Sequence, residues 1–402
     1  MTVSAVMLAH QVAGKAVRDA LFLGALPATH LPRMVITAAV LSVLAVPLYS
    51  HMLAWLGPRR LVPLGFLLSA ILHVVEWRWF DTGGVAIPIV VYIHVASFGA
   101  LLLSGFWSLT SEVFDPHSAR EQVVRIASAG SLGGIVGGLV VERIAVWSST
   151  DASLLLLAGL HALCAAGLWP LLKPAGGRRR APAPEPLFGV QMLRSLPQVK
   201  EIALLVVLGT ASAAIIDYLL KSQAAAAYSG GELLQFFAIF YTVIQVVTLG
   251  LQTFAAAPIQ RRLGIGRSVT MLPIGLGIGT IVSLVFPTMS SLALARGTES
   301  VLRGSLYRSG YELLFSSMAP HDKRRVKTFL DVACDRAGDA LGAGIVQLVL
   351  LAGPMFLVNE LLGVVLLLAA TSIWIGGRLE ALYLKGIEQR LVDHAVADGF
   401  LS

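Results

Sequence analysis

The chain has 402 residues, of which 56% are hydrophobic and 13% charged, and its mean hydropathy is +0.79. Soluble domains carry roughly 25% charged residues, so this composition excludes an ordinary globular protein and indicates a polytopic membrane protein. A net charge of +7 and a pI of 9.6 would point to nucleic acid only if the basic residues formed one patch, and they are instead scattered between apolar spans.

Twelve apolar spans are expected, each near the ~20 residues that cross a bilayer core of about 30 Å. They cover residues 3–26, 32–54, 61–79, 86–114, 123–145, 152–173, 200–221, 232–256, 267–287, 289–318, 328–352 and 355–378. The first carries Lys15 and is read as a retained span, not a cleaved leader. With loops alternating between sides, one set holds 20 Lys and Arg, including Arg59, Arg60, Arg178, Arg179 and Arg180. The other holds four: Arg33, Arg78, Arg143 and Lys221. By the positive-inside rule both termini are expected in the cytoplasm, most simply at a bacterial inner membrane. The high pI is then mainly an orientation signal.

Charge inside the spans is costly and therefore informative. In the first span Lys15, Arg18 and Asp19 lie at i, i+3 and i+4 and should face a cavity, either as an internal pair or as a site for an anionic group. His94, in the fourth span, reads as hydrogen-bonded structure ahead of a proton relay. Glu112 closes that span. The GSLGGIVGG run at residues 130–138 has small-xxx-small spacing, which permits close helix contact.

The Pro-, Gly- and Arg-rich stretch 174–199 reads as a basic cytoplasmic linker between a six-helix half at 1–173 and a second at 200–402, the latter with a short cytoplasmic tail. An internal repeat supports the division. Pro116, His117 and Arg120 match Pro320, His321 and Arg324, and Gly134 and Gly138 match Gly338 and Gly342. LGPRR at Leu56 to Arg60 corresponds more loosely to LGIGR at Leu263 to Arg267. The fold class expected is all-α integral membrane, twelve transmembrane helices in two pseudo-repeat halves, as in the major facilitator architecture, whose substrate site lies near the midplane where the halves meet.

In the second half, Asp217 and Lys221 at i, i+4 fit a pair on one helix. Arg296, Glu299 and Arg303 form one charged stripe and Asp331, Asp335 and Asp339 another, and both are expected to look inward. A guanidinium suits phosphate or carboxylate because its planar fork donates two parallel hydrogen bonds. The competing reading is an Arg303–Glu299 pair tied to Asp335 or Asp339. Asp335 and Asp339 are the candidates for proton or charge coupling.

The segments RDALFL (Arg18 to Leu23), FWSLTSEVFDPHSAR (Phe106 to Arg120) and SLYRSGYELLF followed by KTFLDVACDRAGDALGAG resemble the plastid- and bacterial-type ATP/ADP antiporter family. The resemblance implies a twelve-helix transporter that exchanges nucleotides. It places Arg18 and Asp19 at the family's Lys-Asp pair, Glu112 at the acidic position closing span four, and Asp217 with Lys221 at a Glu-x-x-x-Lys. Glu312 stands at the Glu of a Lys-Glu pair, where Tyr311 replaces the lysine. The candidate substrate-binding set is thus Lys15, Arg18, Asp19, Glu112, Asp217, Lys221, Glu299, Arg303, Tyr311 and Glu312, with rocking of the halves around Arg18 and Arg303.

No GxxxxGK[ST] loop, HExxH or CxxC pair occurs, so no enzyme, metal or cofactor is expected, and Cys164 and Cys334 lie in apolar runs. The expected partners are a small anionic substrate and lipid, not nucleic acid. Two other readings stay open: a proton-coupled transporter of another organic anion or lipid-like substrate, and a non-transporting module that senses a ligand.

Overall fold

In a computed structural model the described residues form helices joined by short turns, without a strand. The structure describes residues 1–113, 116–172, 197–315, 326–327, 329–353 and 357–397. Only the backbone is described for 111–113, 116–124, 171–172, 197, 332, 357, 384–387 and 389–397. Most of the expected linker 174–199, the side chains of Glu112 and of the Pro116 repeat segment, and the whole Pro320 segment lie outside the described residues.

The helices are α1 (Thr2–Ala25), α2 (Leu31–Leu56), α3 (Pro58–Arg78), α4 (Ala86–Ile93), α5 (Gly99–Val113), α6 (Pro116–Trp147) and α7 (Ala152–Leu168). They continue with α8 (Pro197–Ala227), α9 (Gly230–Gly250), α10 (Ala256–Leu263), α11 (Ile265–Val285), α12 (Met289–Leu302), α13 (Arg308–Leu314), α14 (Asp335–Ala352) and α15 (Leu357–Ala397). Short π-helical turns at His94–Phe98, Leu251–Ala255 and Arg303–Tyr307 join α4 to α5, α9 to α10 and α12 to α13, and another at Phe329–Cys334 leads into α14. Such turns are uncommon and cluster at functional sites. Two of the four begin on residues that matter below, His94 and Arg303.

Among the described residues eight helices are long and apolar enough to cross a membrane. This is fewer than the twelve spans expected, for a physical reason. Several remaining helices carry charge within their apolar runs: Lys15, Arg18 and Asp19 on α1, Arg296 and Glu299 on α12, Asp335, Arg336 and Asp339 on α14, with Asp19 and Glu299 fully buried. Large apolar side chains point outward, as on Leu44 (67% exposed), Leu351 (71%) and Phe254 (80%), which suits a lipid-facing surface and would be an aggregation liability in water. The protein is an integral multi-pass membrane protein.

The chain divides into two compact units, one of Met1–Ala183 with Lys221–Leu249, the other of Pro184–Leu220 with Gly250–Ser402. The first has a core around Met7, Phe66, Leu102, Phe106 and Cys164. The second has one around Ile202, Leu272, Tyr307, Tyr311, Phe315 and Leu330. Two local features recur between them. The turns at Gly57 and Gly264 both have positive φ, 74° and 82°, and each ends one helix and starts the next. That backbone is strained for any residue with a Cβ, which explains why LGPRR and LGIGR share a glycine there.

The second feature is a glycine seam. A Cβ on Gly133 or Gly137 would meet the α1 backbone at Ala5 and Ala9, 2.0 and 2.3 Å from their carbonyl oxygens. A Cβ on Gly338 or Gly342 would meet the α8 backbone at Val207 and Ala211. In both units, therefore, a glycine pair four residues apart lets one helix lie against another at backbone distance. The structural equivalents of Gly338 and Gly342 are Gly133 and Gly137, one residue from the Gly134/Gly138 match read in the sequence. Gly134 and Gly138 face Gln245 and Thr242 of α9 instead.

Gly133→Ala is expected to destabilise by about 1–3 kcal/mol through overpacking. This should lower the melting temperature in detergent by several degrees. Gly24→Ala, with nothing within 4 Å of the added carbon, should leave it unchanged.

Candidate functional site

Each unit holds a cluster of buried charge. In the first, the Asp19 side chain is 0% exposed and works as a hub. Its Oδ1 accepts from Arg18 Nε at 2.8 Å, with Nη2 of the same guanidinium at 2.7 Å. Its Oδ2 accepts from Tyr241 Oη at 2.7 Å and lies 3.0 Å from Lys221 Nζ. The Arg18 guanidinium also sits over the Tyr92 ring, 4.8 Å from its centroid. A carboxylate in an apolar interior is tolerable only when its lone pairs are filled by donors, and Asp19 has them from three side chains. Lys15, one turn earlier on α1, is exposed.

In the second unit Glu299 is the corresponding hub, also 0% exposed. It accepts from Arg296 Nη1 on Oε2 and from Arg303 Nε on Oε1, the latter at 2.5 Å. Spacing of three and four residues puts both arginines over Glu299 on one helix face. Arg296 extends to α8, where its Nε donates to Asp217 Oδ1 at 2.9 Å. Arg303 also reaches α8, with Nη1 donating to Thr210 Oγ1 at 3.5 Å, while the Thr210 hydroxyl donates to Asp335 Oδ1 at 2.9 Å. The Arg303–Glu299 pair and Asp335 are thus connected, through a threonine that the sequence did not single out.

One donor in this cluster is unspent. Nη2 of Arg303 is buried and has no hydrogen-bond partner among the described residues. A buried unsatisfied donor costs about 1–3 kcal/mol, more when charged. Gly209 of α8 lies beside it, where an added Cβ would stand 3.6 Å from this nitrogen, in ordinary contact. The Tyr307 ring lies against the guanidinium, its centroid 5.8 Å from the central carbon.

The other candidate residues fall elsewhere. Asp339 accepts from Arg336 Nη1 at 2.9 Å, and Arg336 Nη2 is 3.7 Å from Asp335, so one guanidinium serves two carboxylates. Tyr311, expected beside substrate, is 4% exposed in the apolar core of its unit, stacked with Tyr307 and edge-on to Phe315. Its hydroxyl donates to Asp331 at 2.6 Å. Glu312 accepts from Lys327 Nζ at 2.6 and 2.7 Å. Of the two expected stripes, the Arg296/Glu299/Arg303 one does converge. Of the aspartates, Asp335 and Asp339 stay together on Arg336 while Asp331 separates to Tyr311, because the π-helical turn at Phe329–Cys334 breaks the regular i, i+4 succession from Asp331.

His94 is not a lone histidine. It donates through Nδ1 to Glu76 at 2.8 Å and belongs to a cluster with His10, His73 and His161. These residues lie far apart in sequence, and no spacing announces them.

Asp19→Asn is expected to cost about 3–5 kcal/mol, because it strips a buried cation pair of its counter-charge. The double variant Asp19→Asn/Lys221→Met should recover part of that loss in a detergent melting curve. A melting temperature unchanged in the single variant would remove Asp19 as the hub.

No family model and no curated protein matches this sequence. Solved structures do. The nucleoside transporter NupG superposes with a TM-score of 0.64 at 12% identity, over 95% of this chain and 99% of that one. A bacterial homologue of the iron transporter ferroportin, in the inward-facing state, gives 0.63 at 13% over 94% and 98%. A bacterial homologue of the human lysosomal transporter Spinster, inward-facing and unoccupied, gives 0.58 at 14% over 97% of both chains. At such identities the likeness establishes the fold alone. The chain has the all-helical fold of the major facilitator transporters.

Proposed function

We propose that this protein is a secondary active transporter working by alternating access, and that its substrate is an organic anion of the phosphorylated class, a nucleotide being the favoured case. The observation that carries this reading is the buried, unpartnered Nη2 of Arg303. A guanidinium whose Nε is held by Glu299 and whose outer nitrogen has no acceptor is set to donate to an incoming phosphate or carboxylate oxygen. Glu299 holds the arginine in place before the anion arrives.

In the first unit Arg18 is the candidate anion ligand. Asp19 holds it through one carboxylate oxygen, the other being taken by Tyr241 and Lys221. The motif resemblance to ATP/ADP antiporters and the likeness in fold to a nucleoside transporter both support the nucleotide reading. Without a phosphate-binding loop in the sequence, flux must draw on gradients of substrate or ion. A membrane with the positive-inside orientation puts both termini in the cytoplasm, with halves at 1–173 and 200–402.

A second reading has its own observation. Asp335 and Asp339 share the single guanidinium of Arg336, which leaves carboxylate capacity for a proton, so the same fold would serve proton-coupled transport of another organic anion.

In proteoliposomes loaded with ADP, uptake of labelled ATP is expected to fall at least about tenfold in kcat/KM for Arg303→Gln and for Arg18→Gln, a loss of about 1.4 kcal/mol each. Arg303→Lys should recover little, because an ammonium is a point donor without the fork. Retained exchange in both glutamine variants would overturn the nucleotide reading. Uptake that requires an imposed pH gradient and is uncoupled by Asp339→Asn would favour the second.

A further inference from the structure

The first unit contains a second polar cluster that takes no part in the anion chemistry above. His10 of α1, His73 and Glu76 of α3, His94 at the end of α4 and His161 of α7 are 2%, 0%, 2%, 8% and 2% exposed. One ring nitrogen from each of His10, His73 and His161 lies within 4.8 Å of the other two. His10 Nε2 and His73 Nε2 are 3.0 Å apart, and the His10 and His161 rings stack with centroids 3.3 Å apart.

Hydrogen bonds fix how these rings are protonated. An ionised carboxylate only accepts, so His73 donates from Nδ1 to Glu76 at 2.7 Å and His94 does the same at 2.8 Å. A neutral His73 must then carry its lone pair on Nε2, the nitrogen turned toward His10. His94 faces Ser69 through Nε2 at 2.8 Å, and the same hydroxyl meets His161 Nδ1 at 2.7 Å. His94 and Ser69 therefore brace the assembly, and the Nδ1 of His73 is spent on Glu76. What remains is a set of imidazole nitrogens from three helices within 4.8 Å of one another.

That is the architecture of a metal ligand set with its carboxylate behind it. Metal-binding histidines as a rule give their second ring N–H to a carboxylate or carbonyl, which sets the tautomer and the ring direction. Ligands at about 2.0–2.1 Å in a tetrahedron are about 3.4 Å apart, close to the 3.0 Å between His10 and His73, and the stacked His161 ring must turn out of its stack to aim at the same ion. A single stored proton would need one imidazole, not three converging from separate helices.

We infer that His10, His73 and His161, with Glu76 orienting His73, form a binding site for a divalent transition cation of the zinc class, leaving one coordination position open. Imidazole donors select zinc, cobalt, nickel and copper over magnesium and calcium. The site is independent of the anion chemistry, and either can fail without the other.

The probe is Co2+, added to full-length protein in detergent after chelator treatment and removal of any histidine tag. About one Co2+ per chain is expected, with the intense visible absorption of a four-coordinate site. His161→Gln should abolish both, and Glu76→Gln should weaken binding 10–100-fold. Less than a tenth of an equivalent bound to the wild type would overturn the inference whatever the variants do. So would an unchanged stoichiometry and spectrum in His161→Gln.

Discussion

Everything polar in this protein is shaped by the cost of a charge taken out of water. A carboxylate or guanidinium in a lipid-embedded interior is penalised by several kcal/mol unless its hydrogen-bonding capacity is filled. Asp19 and Glu299 meet that requirement in the same way, each fully buried and each gripping two cationic side chains. The carboxylates thereby fix the positions of Arg18, Lys221, Arg296 and Arg303. Tyrosine supplements both clusters, Tyr241 by a hydrogen bond to Asp19 and Tyr307 by its ring against Arg303.

From that constraint the helix packing follows. Holding ion pairs on neighbouring helices within hydrogen-bond distance requires the helices to approach closely, and the glycine seams permit it. Gly133 and Gly137 let α6 lie on α1, whose far end carries Arg18 and Asp19. Gly338 and Gly342 let α14 lie on α8, which brings Thr210 between Arg303 and Asp335. The π-helical turn starting at Arg303 changes the helix register within the cluster itself, where a regular helix would keep all side chains in one row.

The membrane class and helical fold were legible in the sequence because they rest on properties summed over many residues, which no single contact overrides. The convergence of Arg296, Glu299 and Arg303 was legible because helical period alone places them on one face. Partners on other helices were not. Thr210 and Tyr241 are ordinary residues in apolar runs, and only the packing makes them ligands of Asp335 and Asp19. Tyr311 looked like a substituted site lysine, yet its ring belongs to the apolar core and its hydroxyl to Asp331. The histidine cluster was the least visible, since His10 and His73 are 63 residues apart and His161 lies 92 from Ser69. Read singly, each is an unremarkable membrane histidine.

The central claim is that carboxylate-held, half-buried guanidinium groups await a phosphorylated anion. Its most direct test is the thermal stability of the purified protein in detergent with ATP, ADP, inorganic phosphate, adenosine and dicarboxylates. A ligand at a hundredfold excess over Kd stabilises by about 2.7 kcal/mol, which a melting curve resolves. The phosphorylated ligands should raise the melting temperature, and adenosine at the same concentration should not. Equal stabilisation by adenosine and ATP, or a response to dicarboxylates alone, would contradict it.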